Sequence, residues 1–196
     1  MWSIDALVQE ILRDKDYFEE SRGGVTLSGG EPMMQAGYVE QLLPRLKEAG
    51  IHTNMETSGM FQWEQIEPLL PHLDLIYFDL KHMDGECHKR FTRQDNQVIL
   101  SNFARLSEIF PSLQARMPII PGMNDDLENV TATARFLTRH GHHTIHCLPY
   151  HNLGEAKIPR IDTPLSPLGL KSSSSDNLKR VKSTFEERRV HALIYD

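Results

Sequence analysis

The sequence predicts an α/β fold with a parallel sheet built from βα units. Three observations carry this. Helical and strand-like patterns alternate along the chain. Gly50 and Pro71 stop helical stretches just before strand-like ones. Residues 73–81 form the clearest strand, with Ile76, Phe78 and Leu80 on one face and Asp79 and Lys81 on the other.

In chain order, residues 3–20 read as a helix, with Ser3 as N-cap and Ile4, Leu7, Val8, Ile11 and Leu12 at helical spacing. Gly23-Gly24 breaks it, and residues 25–28 read as a short strand. Residues 39–49 form a helix with Leu42, Leu43 and Leu46 on one face, and 51–57 a strand. Residues 63–70 form a short helix and 73–81 the next strand. Helices over 98–110, 127–139 and 176–188 alternate with strands over 114–120, 144–149 and 190–195. Residues 159–175, rich in Pro and Ser, read as a surface loop.

The composition narrows the function classes. A chain of 196 residues, 39% hydrophobic and 24% charged, suffices for one core, so 1–196 is expected to be a single domain. The net charge of −6 argues against a wide basic face, hence against nucleic acid as a partner. No apolar run approaches the ~20 residues of a membrane helix. The first residues lack the basic-then-apolar pattern of a secretory signal, so the expected location is cytoplasmic. Cys87 and Cys147 are the only cysteines, which gives neither a disulfide framework nor a cysteine metal cage.

Ligands of parallel α/β folds sit at the C-terminal ends of strands, and each strand here supplies a polar group there. Asp79 and Lys81 are either a ligand-binding pair or a plain neighbour pair at a strand end. Ser28-Gly29-Gly30-Glu31-Pro32 is either a tight turn or a loop whose bare backbone meets a ligand. Glu56 ends its strand, as an amine or cation acceptor or as a solvated terminus. Arg116, inside an apolar strand, wants a carboxylate, from a ligand or from Asp79 or Glu56. His151 is a ligand donor or an exposed loop histidine. His140, His142, His143, His146 and Cys147 are weak evidence for a metal, and His82 and His88 around Cys87 fit no standard ligand template. Met33 and Met34 read as packing residues, and Asp125, Asp126 and Glu128 as helix-capping acids.

Together these segments resemble a known family. The run from Gly23 to Pro32 is similar to the Gly-Gly-Glu-Pro segment of radical S-adenosylmethionine enzymes. In its longer form it resembles the glycyl-radical-enzyme activating enzymes of the pyruvate formate-lyase activase type. Collinear pieces agree: Glu56-Thr57-Ser58-Gly59, Asp79-Leu80-Lys81-His82-Met83-Asp84, His88, Asp95-Asn96, Ile99-Leu100 and Asn102. Arg116, Pro118 to Gly122, Asn124-Asp125, Leu148 to His151, Leu153-Gly154 and Lys157 complete the series.

The resemblance implies reductive cleavage of S-adenosylmethionine at a [4Fe-4S] cluster and hydrogen abstraction from a glycine of a partner glycyl radical enzyme. It implies an electron donor such as flavodoxin or ferredoxin. It gives the backbone of Gly29, Gly30 and Glu31 to the methionine amino group, and Glu56, Asp79, Lys81 and His151 to the methionine and ribose side. Glu56 and Asp79 would hold a monovalent cation if one binds, and Arg116 would support the methionine carboxylate end.

The family's C-x3-C-x2-C triplet, which holds the cluster, has no counterpart in this sequence. Thr92-Arg93 stands where the family has Thr-Gly, and Ile158 where a tyrosine follows the lysine. The expectation is therefore a partial (β/α) TIM-like barrel lacking the first strand with its cluster-binding loop. Such a chain would be inactive alone and prone to self-association through the open edge at Val25. The alternatives are a non-catalytic remnant or interaction module binding nucleotide or a glycyl radical enzyme, and an unrelated barrel using Lys81 as a Schiff base.

Overall fold

The computed structural model describes residues 2–152 and 169–195. The motif residues Leu153, Gly154, Lys157 and Ile158 and most of the Pro/Ser-rich stretch fall outside them. The chain folds as two compact units, one of Met1–Asp79 with Gln97–Gln114, the other of Leu80–Asn96 with Ala115–Asp196.

The first unit opens with α1 (Ile4–Leu12), capped by the Ser3 hydroxyl accepting from the Ala6 N–H at 3.2 Å. The helix expected over 3–20 is broken: α2 (Lys15–Ser21) starts anew after Arg13 and Asp14 and buries no residue. The apolar spacing lapses at Lys15 and Asp16, where the helix restarts, and Phe18 of α2 then packs, partly buried, on the same cluster as Val8. Then come β1 (Gly24–Leu27), α3 (Ala36–Glu48), β2 (His52–Thr57), α4 (Trp63–Ile66) running into a 3-10 turn, and β3 (Leu75–Asp79). β1, β2 and β3 pair in parallel, with Thr26 opposite Asn54 and Glu56 opposite Tyr77.

Paired residues of parallel strands share a face. Met55, Ile76 and Phe78 therefore lie fully buried on one side, while Asn54, Glu56, Tyr77 and Asp79 stay half-buried on the other. Phe78 meets Phe103 of α6 (Gln97–Ile109) edge-to-face at 5.3 Å. Each such side chain contributes roughly 1.5–3 kcal/mol on burial.

The second unit holds α5 (Gly85–Thr92), most of β4 (Leu113–Ile119), α7 (Leu127–Arg139), β5 (Thr144–Pro149), α8 (Ser175–Glu186) and β6 (His191–Ile194). β4, β5 and β6 also pair in parallel. Apolar periodicity does not predict α5, because its one buried side chain is His88, whose Nδ1 lies 2.7 Å from the Gln94 carbonyl. Its start is nevertheless well capped, the Asp84 carboxylate accepting from the Cys87 N–H at 2.7 Å. No helix among the described residues is long and apolar enough to cross a membrane.

Candidate functional site

In the first unit, Gly29 (φ +114°) and Gly30 turn the chain away from β1. A Cβ at either position would meet no atom within 4 Å, so packing does not require glycine there; only the positive φ of Gly29 does. The exposed glycine backbone lies open.

Glu31 holds this loop in place. Its carboxylate accepts from the Thr57 hydroxyl at 2.8 and 2.9 Å, from the Ser58 N–H at 2.8 Å and from the Ser58 hydroxyl at 2.6 Å. It also accepts from the Met33 N–H at 3.3 Å, capping the turn Pro32–Gln35. Charge-assisted bonds of this kind are worth about 1.5–3 kcal/mol each. The Glu31 side chain is thus engaged by the protein, and its backbone is what remains for a ligand. Thr57 is itself fixed, its hydroxyl oxygen accepting from the Gly59 N–H at 2.9 Å.

Glu56, one residue earlier on β2, accepts from the Ser28 hydroxyl at 2.9 Å. It is half-buried, not a solvated terminus. Asp79 follows Tyr77, the register partner of Glu56, by two residues on the same face. The first unit therefore gathers Gly29, Gly30, Glu31 and Glu56 at the strand ends, with Asp79 one step along. Met33 is buried as expected, but Met34 is 80% exposed: the turn that buries one of two adjacent side chains presents the other to solvent.

In the second unit, the Leu80 N–H donates to the Arg116 carbonyl at 2.8 Å, setting Lys81 beside β4. Buried asparagines fix the main chain that follows. Asn124 donates to the carbonyls of Lys81 at 3.0 Å and Pro118 at 2.6 Å, and accepts from the Ile120 N–H at 2.8 Å. Asn96 donates to the carbonyls of His82 at 2.9 Å and Met83 at 2.8 Å. Asn129 accepts from the Met83 N–H and donates to the Asn124 carbonyl, both at 2.8 Å. Asn129 is missed in sequence reasoning. A buried Asn in an apolar helix face is the signal that points to such a loop anchor.

Lys81 lines an apolar cavity of about 160 Å³ with His88, Phe91, Pro118 and Met123. Arg116 is the register partner of His146. Burial, aided by the Arg116 charge, holds the His146 imidazole below its usual pKa. His151 is exposed and lines a cleft of about 390 Å³ with Lys179 and Lys182. Asp126 caps α7 as expected, accepting from the Asn129 N–H at 2.9 Å. Asp125 does not cap: it is buried, accepting from Gly122 N–H at 2.7 Å and Asn177 Nδ2 at 2.6 Å.

The residues fit two cofactors differently. Open glycine backbone beside half-buried Glu56 and Asp79 suits the cationic amino and sulfonium groups of S-adenosylmethionine. The cysteines do not suit an iron–sulfur cluster. Cys147 is buried within β5, and burial pushes its thiol up to about 12. The Cys87 thiol is also raised, by its hydrogen bond to Asp84 and then by burial. Two thiols are too few for the thiolate set that holds a cluster.

Residues 3–137 match the family model of the Radical SAM superfamily. The chain is 34% identical to the (2S)-3-sulfopropanediol dehydratase activating enzyme of Klebsiella oxytoca, covering 98% of this chain and 62% of that protein. It is 36% identical to the trans-4-hydroxy-L-proline dehydratase activating enzyme of Clostridioides difficile, covering 98% and 65%. It thus spans less than two thirds of the length of these curated relatives. Among solved structures, a domain of the pyruvate-formate lyase-activating enzyme of Bacteroides vulgatus superposes with a TM-score of 0.74 at 27% identity, covering 89% of this chain and 99% of that one. A radical SAM methyltransferase of Sphaerobacter thermophilus, at 17% identity and a TM-score of 0.72, shares the fold and covers 99% of this chain and 57% of that one. These likenesses bear out the α/β class and the partial (β/α) barrel. The chain belongs to the Radical SAM superfamily.

Proposed function

We propose that this chain binds S-adenosylmethionine at the C-terminal ends of its parallel strands, as part of an activating protein for a glycyl radical enzyme. The observation that carries this reading is the Gly29–Glu31 loop: its carboxylate is spent on holding the loop, while its glycine backbone is left open. Backbone carbonyls of Gly29, Gly30 and Glu31 would accept from the methionine ammonium. Glu56 and Asp79 would supply negative charge to the same end, or hold a monovalent cation against its carboxylate. Lys81, Arg116 and His151 take the methionine and ribose contacts that the family resemblance gives them.

The partner class is a glycyl radical enzyme, the electron donor a flavodoxin or ferredoxin, and the location the cytoplasm. Reductive cleavage needs a thiolate-held [4Fe-4S] cluster. Cys87 and Cys147 do not fit one, which favours a second reading: a binding module for nucleotide or partner without radical chemistry of its own.

Equilibrium dialysis with radiolabelled S-adenosylmethionine tests the first reading. One saturable site per chain, weakened about tenfold in D79N at unchanged melting temperature, supports it. Absence of saturable binding to a folded chain refutes it. A 5′-deoxyadenosine assay with dithionite then separates the readings, product favouring the enzyme and its absence the binding module.

A further inference from the structure

A second cluster of ligand-type side chains lies on the segment after Lys81, independent of the S-adenosylmethionine reading. One donor atom each of His82, Asp84 and Cys87 lie within 4.8 Å of one another. Their convergence is built by the fold. Asn96 and Asn129 clamp the backbone of His82 and Met83, and Asp84 caps α5 so that its first turn presents Cys87. The three line a cleft of about 530 Å³ together with Asp126 and Glu128. The Asp126 carboxylate is near enough to act electrostatically on both His82 and Cys87.

We propose that His82, Asp84 and Cys87 form a binding site for a divalent cation of the zinc type, with Asp126 or water completing a four-coordinate shell. A nitrogen, an oxygen and a sulfur donor together select a borderline-soft ion; magnesium and calcium take oxygen shells. Tetrahedral zinc ligands stand about 3.3–3.8 Å apart, given metal–ligand distances of about 2.0–2.3 Å. The present cluster closes onto an ion by small rotations of Asp84, which is exposed, and Cys87, which is half-buried. On binding, the Cys87 thiol releases its proton to water, and the two anionic ligands balance the divalent charge. The His82 Nδ1 lone pair, which accepts from the Asp84 N–H at 3.1 Å, turns to the ion. The ion would pin the segment next to Lys81 onto α5.

The test is titration of the metal-free full chain with Co²⁺, followed by displacement with Zn²⁺. The expected result is one Co²⁺ per chain, with tetrahedral d–d absorption and a thiolate-to-cobalt charge-transfer band. C87S should abolish that band, and D84S, which keeps a capping hydroxyl, should weaken binding about tenfold or more with helix content unchanged. No charge-transfer band in the wild type, a band that survives in C87S, or undiminished affinity in D84S overturns the proposal.

Discussion

The segment after β1 and the segment after β3 both leave the C-terminal end of a parallel strand, and they are held in opposite ways. The first is tied by one charged side chain, Glu31, to the end of β2, and its glycines face open space. The second is tied by three buried neutral amides, Asn96, Asn124 and Asn129, which engage its carbonyls and N–H groups. The difference lies in what each leaves over for chemistry. A carboxylate clamp leaves bare backbone available, whereas amide clamps occupy the backbone and leave the side chains of Lys81, His82 and Asp84 to act.

The largest test of this contrast is G59A. Gly59 donates to Thr57, the partner of Glu31, at φ +79°, and a Cβ there would stand 2.0 Å from the Phe78 ring. Overlap and strain together should cost about 3 kcal/mol or more, read by urea denaturation. Near-normal stability would mean that β2 and β3 can part without harm to the loop.

Next is N124A. It leaves the carbonyls of Lys81 and Pro118 and the Ile120 N–H without their amide partner, and should cost about 2–4 kcal/mol. Hydrogen exchange should accelerate at 81–84 but stay normal at 28–31. Acceleration at both would end the separation drawn here.

E31Q should cost less, about 1–2 kcal/mol, since an amide with its oxygen in the Oε2 place still accepts from Thr57 and Ser58 while its NH2 opposes the Met33 N–H. Its exchange effect should be confined to 28–33 and 57–59.

The smallest effect is that of pH. In the second unit, burial lowers the pKa of His142, with His140 and His143 adding repulsion, and burial with Arg116 lowers that of His146. The unfolded chain takes up these protons first, so the stability involved is full above about pH 6.5 and is lost below it. In the first unit, burial alone would raise Asp74, but hydrogen bonds from Lys47 and the Thr53 N–H outweigh it and hold the carboxyl low. That contribution persists above about pH 3.9 and fades only in stronger acid. Between pH 7 and 5, amide protection, relative to the intrinsic exchange rate at each pH, should therefore fall around 142–146 before it does around 53 and 74; the reverse order would contradict the assignment.

The sequence makes the succession of helices and strands and most of the polar strand ends legible, because period-2 alternation and turn residues report burial directly. Thus 127–139 and 144–149 match α7 and β5 at both ends. It hides α5, whose core residue is a histidine, and it hides what the asparagines do, because their partners are main-chain groups 4 to 46 residues away. It also leaves Glu31 ambiguous: the motif marks it, but only the bonds to Thr57 and Ser58 show its side chain as structural.

The central claim is that the Gly29–Glu31 loop is a prearranged backbone cradle for S-adenosylmethionine. Amide hydrogen exchange with and without saturating S-adenosylmethionine tests it most directly. The account predicts slower exchange at 28–31, and no change at 83–84, whose N–H groups are already bonded. Unchanged exchange at 28–31 with ligand demonstrably bound would contradict it.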